Sequence, residues 1–174
     1  PTLATSPPPG TPTSPLPPHT PATHETPLGS PSKPRCHVGH GCAGAATTKI
    51  RVQIPEGVNA VKPQPKPGWT VETLKGKYAK SYDYYGTALT EGVKEVVWSG
   101  GKLPDDFYGE FLLRGTITAD LKVGSTVFFP VIQECGDKSD AWIEIPADGQ
   151  PEPELPAPGV THTAPAPAPQ TRRP

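Results

Sequence analysis

Apolar and polar residues alternate in short segments through the middle of the chain, and an alternation of period two predicts β-strands. The predicted strands cover residues 47–54, 70–74, 93–98, 107–117, 126–134 and 141–145. Turn formers such as Pro67-Gly68 separate them. No segment carries a sustained helical period with caps. The pattern therefore predicts an all-β fold, a single antiparallel β-sandwich with minimal helix.

Proline is concentrated at the two ends of the chain. Of the 27 prolines in 174 residues, most lie before residue 35 or after residue 145. Segments with so few apolar side chains cannot repay the entropy of ordering. We therefore predict that residues 1–35 and the tail from residue 150 are disordered and lie outside the domain.

Charge and hydropathy exclude several classes of function. The formal net charge is −1 and the lysines are interspersed with acids, so no basic face is available for nucleic acid. No apolar run approaches the length of about 18 residues that spans a bilayer, so no transmembrane segment is predicted.

Acidic residues follow Leu103-Pro104 at Asp105, Asp106 and Glu110, and paired carboxylates are the minimum for acid/base hydrolysis. A Pro-Asp-Asp sequence is also a usual turn composition. The chain contains no nucleophile elbow and no phosphate-binding loop. We therefore expect that the protein is not an enzyme.

The chain contains three cysteines, at positions 36, 42 and 135. Cys42 precedes the first strong strand and Cys135 follows the strand at 126–134, so a Cys42–Cys135 disulfide would tie the ends of the sandwich together. Such a bond would indicate an oxidising compartment. The alternative is two reduced thiols in a cytosolic protein. If the disulfide forms, Cys36 remains unpaired. It is then a free thiol in a mobile arm, or it does not belong to the native sequence.

Two histidines, His37 and His40, lie beside Cys42 in the sequence CHVGHGC. Imidazole and thiolate ligands together suit copper or zinc. The spacing fits no tetrahedral zinc signature, and loop histidines are more often solvated than metal-bound, so both readings of His40 stay open. Trp142 follows the Cys135 turn, and the disulfide would bring it near His40.

Four tyrosines lie close together at positions 78, 82, 84 and 85. They form either a binding face or, more commonly in such folds, a set of cross-strand contacts at the edge of a sandwich.

Three segments together resemble a known family. They read KIRVQIPEGVNAVKPQPKPGWTVETLKGKY at 49–78, LTEGVKEVVWSGGKLPDDFYGEFLLRG at 89–115 and VFFPVIQECGDKSDAWIEIP at 127–146. The resemblance is to the proteobacterial branch of the YcnI-like copper-binding family and covers about 38–158. It implies that the domain has these limits, and that residues 1–37 and the disordered Ala/Pro tail at 159–174 lie outside it. It implies an immunoglobulin-like sandwich with a signal peptide, exported to the periplasm or secreted to the cell surface. It also implies a Cu(II) chaperone or buffer in copper homeostasis that exchanges copper with another periplasmic copper protein.

The resemblance also implies a set of copper ligands. In the family, a histidine that becomes the first residue after signal cleavage binds copper through its amine and imidazole, together with a loop side chain and a nearby tryptophan. By position the loop ligand is His40, and the tryptophan is Trp142, which would lie near the ion without binding it. The N-terminal histidine should fall near position 18, which makes His19 the candidate and His24 the alternative.

The sequence departs from the family pattern upstream of the loop. Pro31 and Pro34 lie where the family has a strand, and prolines remove donors from a central strand. We therefore interpret residues 1–37 as disordered, or as a corrupted reading of a signal peptide and first strand. The alternative function is a metal-free envelope interaction module of the same fold.

Overall fold

In the part of the chain that the computed structural model describes, every long regular element is a β-strand. The structure describes the backbone of residues 24–27 and all of residues 29–164. This part of the chain contains no helix long and apolar enough to cross a membrane. The strands are β1 His24–Pro27, β2 Pro31–Ser32, β3 Arg35–Val38, β4 Thr47–Gln53, β5 Val58–Pro63, β6 Thr70–Tyr84, β7 Thr87–Leu103, β8 Gly109–Ile117, β9 Thr126–Phe128, β10 Val131–Cys135, β11 Lys138–Trp142 and β12 Gly159–Thr163.

The strands form two main layers and one smaller sheet. The first layer has the order β11-β10-β4-β7-β6, and all its pairs are antiparallel. In the second layer, β2 and β3 pair in succession with β8, which also pairs with β5. The third sheet has the order β1-β12-β9, in which β1 and β12 are parallel. The predicted all-β class and antiparallel sandwich are confirmed.

The core lies between the two main layers and is built from alternate residues of their strands. Trp98 of β7 and Phe111 of β8 meet edge to face across it, with ring centroids 5.6 Å apart. The indole Nε1 of Trp98 donates a hydrogen bond to the carbonyl oxygen of Gln64 at 3.0 Å. The indole N–H of Trp98 thus has the hydrogen-bond partner that a buried tryptophan requires.

The fold begins earlier than the predicted boundary at residue 38. β3 pairs with β8, and its residues Cys36 and Val38 are buried in the core. Cys36 is therefore a core residue and not a thiol in a mobile arm. Residues 1–23 lie outside the described part, so the prediction made for them stays a prediction.

The two prolines do not abolish the first strand, contrary to our expectation. Among the described residues, β2 and β3 pair only with β8, so they form an edge strand. An edge strand tolerates proline because one side of its backbone needs no ladder partner. Pro34 still contributes its carbonyl oxygen, which accepts a hydrogen bond from the amide of Leu113 at 3.1 Å.

The fold also ends later than the predicted boundary at residue 158. β12 pairs with β1 and β9, and its residues Val160 and His162 are 3% and 1% exposed. The sequence Gly-Val-Thr-His-Thr alternates inward and outward positions, but the surrounding prolines masked this short strand. The predicted disorder of 159–163 was wrong, and residues 165–174 lie outside the described part.

The sequence pattern also missed β5, Val58–Pro63, and the remaining differences concern strand lengths and positions. β6 and β7 form one long hairpin whose turn, Tyr85-Gly86, has φ values of 50° and 81°. The predicted strand 126–134 is divided into β9 and β10 around Pro130, which lacks an amide donor. The predicted strand at 141–145 lies earlier, at Lys138–Trp142, where it pairs with β10 across a tight turn.

Candidate metal-binding loop

The segment between β3 and β4, residues 39–46, is the loop that contains His40, and we refer to it as the His40 loop. A disulfide joins Cys42 of this loop to Cys135 at the end of β10, with Cα atoms 5.8 Å apart. The predicted Cys42–Cys135 bond is thereby confirmed. It fixes the loop to the five-stranded layer across 93 residues of sequence.

A tight turn sets the shape of the loop. The amide of Cys42 donates to the carbonyl oxygen of Ala45 at 3.1 Å, and the amide of Ala45 donates back to Cys42 at 3.0 Å. A Cβ atom at Gly41 would overlap the carbonyl of Ala45, so this position requires glycine. The amide of Gly41 donates to Oδ1 of Asp105 at 2.8 Å. Asp105 therefore anchors the backbone next to His40.

Gln133 connects the His40 loop to Trp142. This side chain is fully buried, and its Nε2 donates to the carbonyl oxygen of His40 at 2.7 Å and to Oγ1 of Thr47 at 2.8 Å. Its Oε1 accepts from the indole Nε1 of Trp142 at 3.3 Å. The structure thus places Trp142 one side chain away from the backbone of His40.

Sequence reasoning missed Gln133. The signal was present, because in the sequence Val-Ile-Gln-Glu-Cys of β10 the residues Val131, Gln133 and Cys135 share the buried face. A polar residue at an inward position of a strand must find hydrogen-bond partners inside the protein. It therefore marks a buried polar network.

The imidazole of His40 has a defined orientation. Its Nδ1 lies 2.6 Å from the carbonyl oxygen of Gly41, and the ring is half-buried. A carbonyl oxygen only accepts, so this hydrogen bond places a proton on Nδ1, and in the neutral ring the lone pair is then on Nε2. A hydrogen bond from one ring nitrogen to a backbone carbonyl is the usual way in which a metal-binding histidine is oriented.

The other polar residues near the loop form a separate cluster. Nδ1 of His37 lies 3.4 Å from Oε1 of Glu110, and a guanidinium nitrogen of Arg35 lies 3.7 Å from the same oxygen. The ring of Tyr108 stacks on His37 with centroids 6.5 Å apart. Glu110 thus contacts basic residues of β3, whereas Asp105 contacts the amide of Gly41.

The described residues contain no group of three or more His, Cys, Asp or Glu side chains that could hold a metal ion. His19 lies outside them, and the side chain of His24 is not described. The backbone of His24 pairs with Val160, two residues beyond Pro158. Pro158 lines a small cavity together with Trp142 and Gln133. Strand β1 therefore begins beside the start of β12, close to Pro158.

Comparisons with known proteins agree with this architecture. A family model described as a domain of unknown function, DUF1775, matches residues 20–161. The chain is also similar to a protein from Nocardia farcinica whose crystal structure is described as revealing an immunoglobulin-like fold. That protein is 26% identical, the TM-score is 0.60, and the match covers 79% of this chain and 92% of that chain. No curated protein sequence matches the chain. The predicted immunoglobulin-like class is confirmed.

Proposed function

Because this chain belongs to the DUF1775 family, which is the YcnI-like family, we propose that it is an exported, non-enzymatic domain that binds Cu(II). Its role is that of a chaperone or buffer outside the cytoplasm, as in the proteobacterial branch that the sequence resembles. The observation that carries the proposal is the position of His40, whose carbonyl oxygen is joined through the side chain of Gln133 to the indole of Trp142.

The donor chemistry at this end of the molecule suits Cu(II). The described residues supply one imidazole, that of His40, with its lone pair at Nε2. Cu(II) prefers nitrogen and oxygen donors in a tetragonal arrangement. An amine and an imidazole on one N-terminal histidine would complete such a set. We assign this second position to His19, with His24 as the alternative.

Neighbouring side chains position His40 without binding the ion. Gln133 holds the carbonyl of His40, and Asp105 holds the next amide in the chain. Trp142 is 3% exposed and donates its indole hydrogen to Gln133, so its ring supports the loop and keeps water from the inner side of the site. Supporting hydrogen bonds of this kind typically change metal affinity by about 10–100-fold.

The disulfide supports a location outside the cytoplasm. A buried Cys42–Cys135 bond persists in oxidising environments such as the bacterial periplasm and the exterior. We therefore place the protein in the periplasm or outside the cell. There it would pass copper to another periplasmic copper protein.

The proposal is tested by calorimetric titration of Cu(II) into a chain trimmed so that His19 is the first residue. We expect binding of one ion, and a loss of affinity of at least about tenfold in His40→Ala. The matched control is His37→Ala, which removes a nearby imidazole that contacts Glu110 instead. If His40→Ala and His37→Ala bind copper equally, the metal assignment is wrong and the metal-free interaction module takes its place.

A further inference from the structure

The outer surface of the second layer carries three positive charges in a row across its strands. Lys62 of β5 lies directly opposite Arg114 of β8. On the other side of β8, β2 and β3 keep one continuous register, in which Lys33 between them also lies opposite Arg114. The three side chains are exposed, whereas the residue before each of them is buried. We refer to Lys33, Arg114 and Lys62 as the basic row.

The basic row works against the stability of the sheet. Residues directly opposite on neighbouring antiparallel strands have Cβ atoms about 5 Å apart, and like charges in such positions are destabilising. None of the three cations forms an ion pair with a carboxylate in the described part of the chain. A row of uncompensated cations therefore calls for an explanation outside the fold.

The acids on adjoining elements are engaged by other cations. Glu110 of β8 contacts two basic residues of β3. Beyond the other end of β8, Asp120 lies 3.2 Å from Nζ of Lys80, and Glu56 accepts from Nζ of Lys94 at 2.7 Å. These acids leave the basic row uncompensated.

Two further acids, Asp105 and Asp106, lie in the turn before β8. Gly109 begins β8, and five residues at about 3.4 Å each place it about 17 Å from Arg114. This distance exceeds the Debye length of about 8 Å at physiological ionic strength, so these carboxylates are largely screened from the basic row.

The basic row belongs to a wider basic face. Arg35 lies two residues after Lys33 on the same outer surface, and its side chain is 41% exposed. Lysines and acids are interspersed along the sequence, which predicts no basic face. Strand register gathers these cations on one side of the sandwich, so this prediction was wrong.

We propose that the basic face, formed by Lys33, Arg35, Lys62 and Arg114, binds the surface of an anionic phospholipid membrane. This inference does not depend on copper binding. Three strands about 4.8 Å apart spread the basic row over about 10 Å of exposed sheet, which suits a layer of phosphate headgroups. The disulfide supports a location outside the cytoplasm, where membrane leaflets and not nucleic acid supply the anionic surface.

The distribution of acids fits such an orientation. Residues 137–154 contain six acids and one lysine, and they include β11 at the edge of the first layer. The basic face belongs to the second layer. Charge separated in this way would turn the basic face toward an anionic surface and the acidic segment away from it.

The proposal is tested by sedimentation of the full chain with lipid vesicles. We expect binding to phosphatidylcholine vesicles that contain about one-third phosphatidylglycerol, and no binding to phosphatidylcholine alone. Binding should weaken when the ionic strength rises from about 0.01 M to about 0.15 M, because the Debye length falls from about 30 Å to about 8 Å.

Charge substitutions locate the binding face. Lys62→Gln/Arg114→Gln should lower the partition coefficient about 25-fold, at about fivefold per cation. The matched control Lys75→Gln/Lys77→Gln removes the same charge from exposed positions of β6 and should bind like wild type. Because the first variant loses a repulsive pair, it should unfold at the same or a higher urea concentration than wild type, which separates lost binding from misfolding.

Lysine acetylation, measured by mass spectrometry, gives a second test of orientation. Anionic vesicles should protect Lys33 and Lys62 and leave Lys75 and Lys77 reactive. The proposal is overturned if anionic vesicles do not bind the chain, if neutral vesicles bind it equally, or if the two double variants lose binding to the same extent. It is also overturned if polyglutamate or a DNA duplex binds the chain under conditions in which the vesicles do not, since the face would then serve a macromolecule.

Discussion

At the scale of single residues, the candidate site depends on a buried amide that makes three hydrogen bonds. Gln133 satisfies the His40 carbonyl, the Thr47 hydroxyl and the Trp142 indole at once. A buried polar group that loses its partner costs about 1–3 kcal/mol. The chemistry of the loop and the stability of the sandwich are therefore linked at one residue.

Replacing this residue tests the link. Gln133→Leu keeps the volume of the side chain but leaves three buried polar groups without their partner. We expect the free energy of unfolding to fall by about 3 kcal/mol, measured by urea denaturation. The control is Gln53→Leu on β4, where the side chain is exposed and the change should stay within about 0.5 kcal/mol. Equal losses in both variants would contradict the role given to Gln133.

The residues of the site differ in how far the sequence reveals them. The Cys42–Cys135 bond and the closeness of Trp142 to the His40 loop could be predicted, because both follow from strand ends and turns. The contacts of Gln133 and Asp105 could not, because their partners lie 93 and 64 residues away in the chain. Such contacts depend on strand register, which is set only when the layers pack.

At the scale of elements, Glu56 fastens the β6–β7 hairpin to the turn between β4 and β5. Its carboxylate accepts from Nζ of Lys94 at 2.7 Å, from the amide of Ala79 at 2.7 Å and from the hydroxyl of Tyr82. Burial alone would raise the pKa of Glu56, but these donors outweigh it and hold the pKa below its usual value. The folded state thus favours the charged form.

This clamp should weaken in acid. Because the pKa of Glu56 is lower in the folded than in the unfolded chain, its contribution is present above the unfolded value of about 4.3 and is lost as the pH falls through the folded value. Glu56→Gln should therefore lose less stability than wild type between about pH 5 and pH 3. Urea midpoints across this range measure the effect. Glu72→Gln, exposed on β6, should behave like wild type, and an unchanged pH profile in Glu56→Gln would refute the clamp.

The edge strands show where sequence reasoning fails at this scale. Pro31 and Pro34 argue against a central strand, and that inference is sound for a strand paired on both sides. Whether β2 and β3 have one neighbour or two depends on the sheet order, which local pattern does not reveal. The same limit hid β12, a short strand that is stabilised by its position between β1 and β9.

At the scale of the whole molecule, one disulfide and one free thiol lie within the same sandwich. Cys42 and Cys135 close a long loop, and the chain-entropy model gives such a bond about 4–5 kcal/mol. Burial raises the pKa of the Cys36 thiol to about 12. The thiolate, which is the reactive form, is therefore scarce at neutral pH.

Labelling with iodoacetamide tests this arrangement. The native protein should take up no label, because Cys36 is buried and protonated and the other two cysteines are bonded. In urea without reductant, mass spectrometry should detect one label per chain, and with reductant three. Cys36→Val should take up no label in urea without reductant and two labels in urea with reductant. Labelling of the native protein at Cys36 would show that β3 is not packed as described.

The class of the fold could be predicted from the sequence, but the residues at which the domain begins and ends could not. Period-two alternation identified most strands and their antiparallel arrangement, because each strand of the sandwich has one buried face. The limits at 38 and 158, which the resemblance implied, were wrong, because short strands lie between the prolines beyond both limits. The copper ligands from the N-terminal segment stay a prediction, since His19 lies outside the described residues.

The central claim is that a terminal histidine and His40 together bind Cu(II), and electron paramagnetic resonance tests it most directly. Three proteins are compared at one equivalent of Cu(II): the chain as given, a chain that begins at His19 and a chain that begins at His24. We expect a tetragonal, nitrogen-rich signal in the chain that begins at His19, changed by His40→Ala and absent from the chain as given. A signal that is identical in all three chains, or that is insensitive to His40→Ala, would contradict the account.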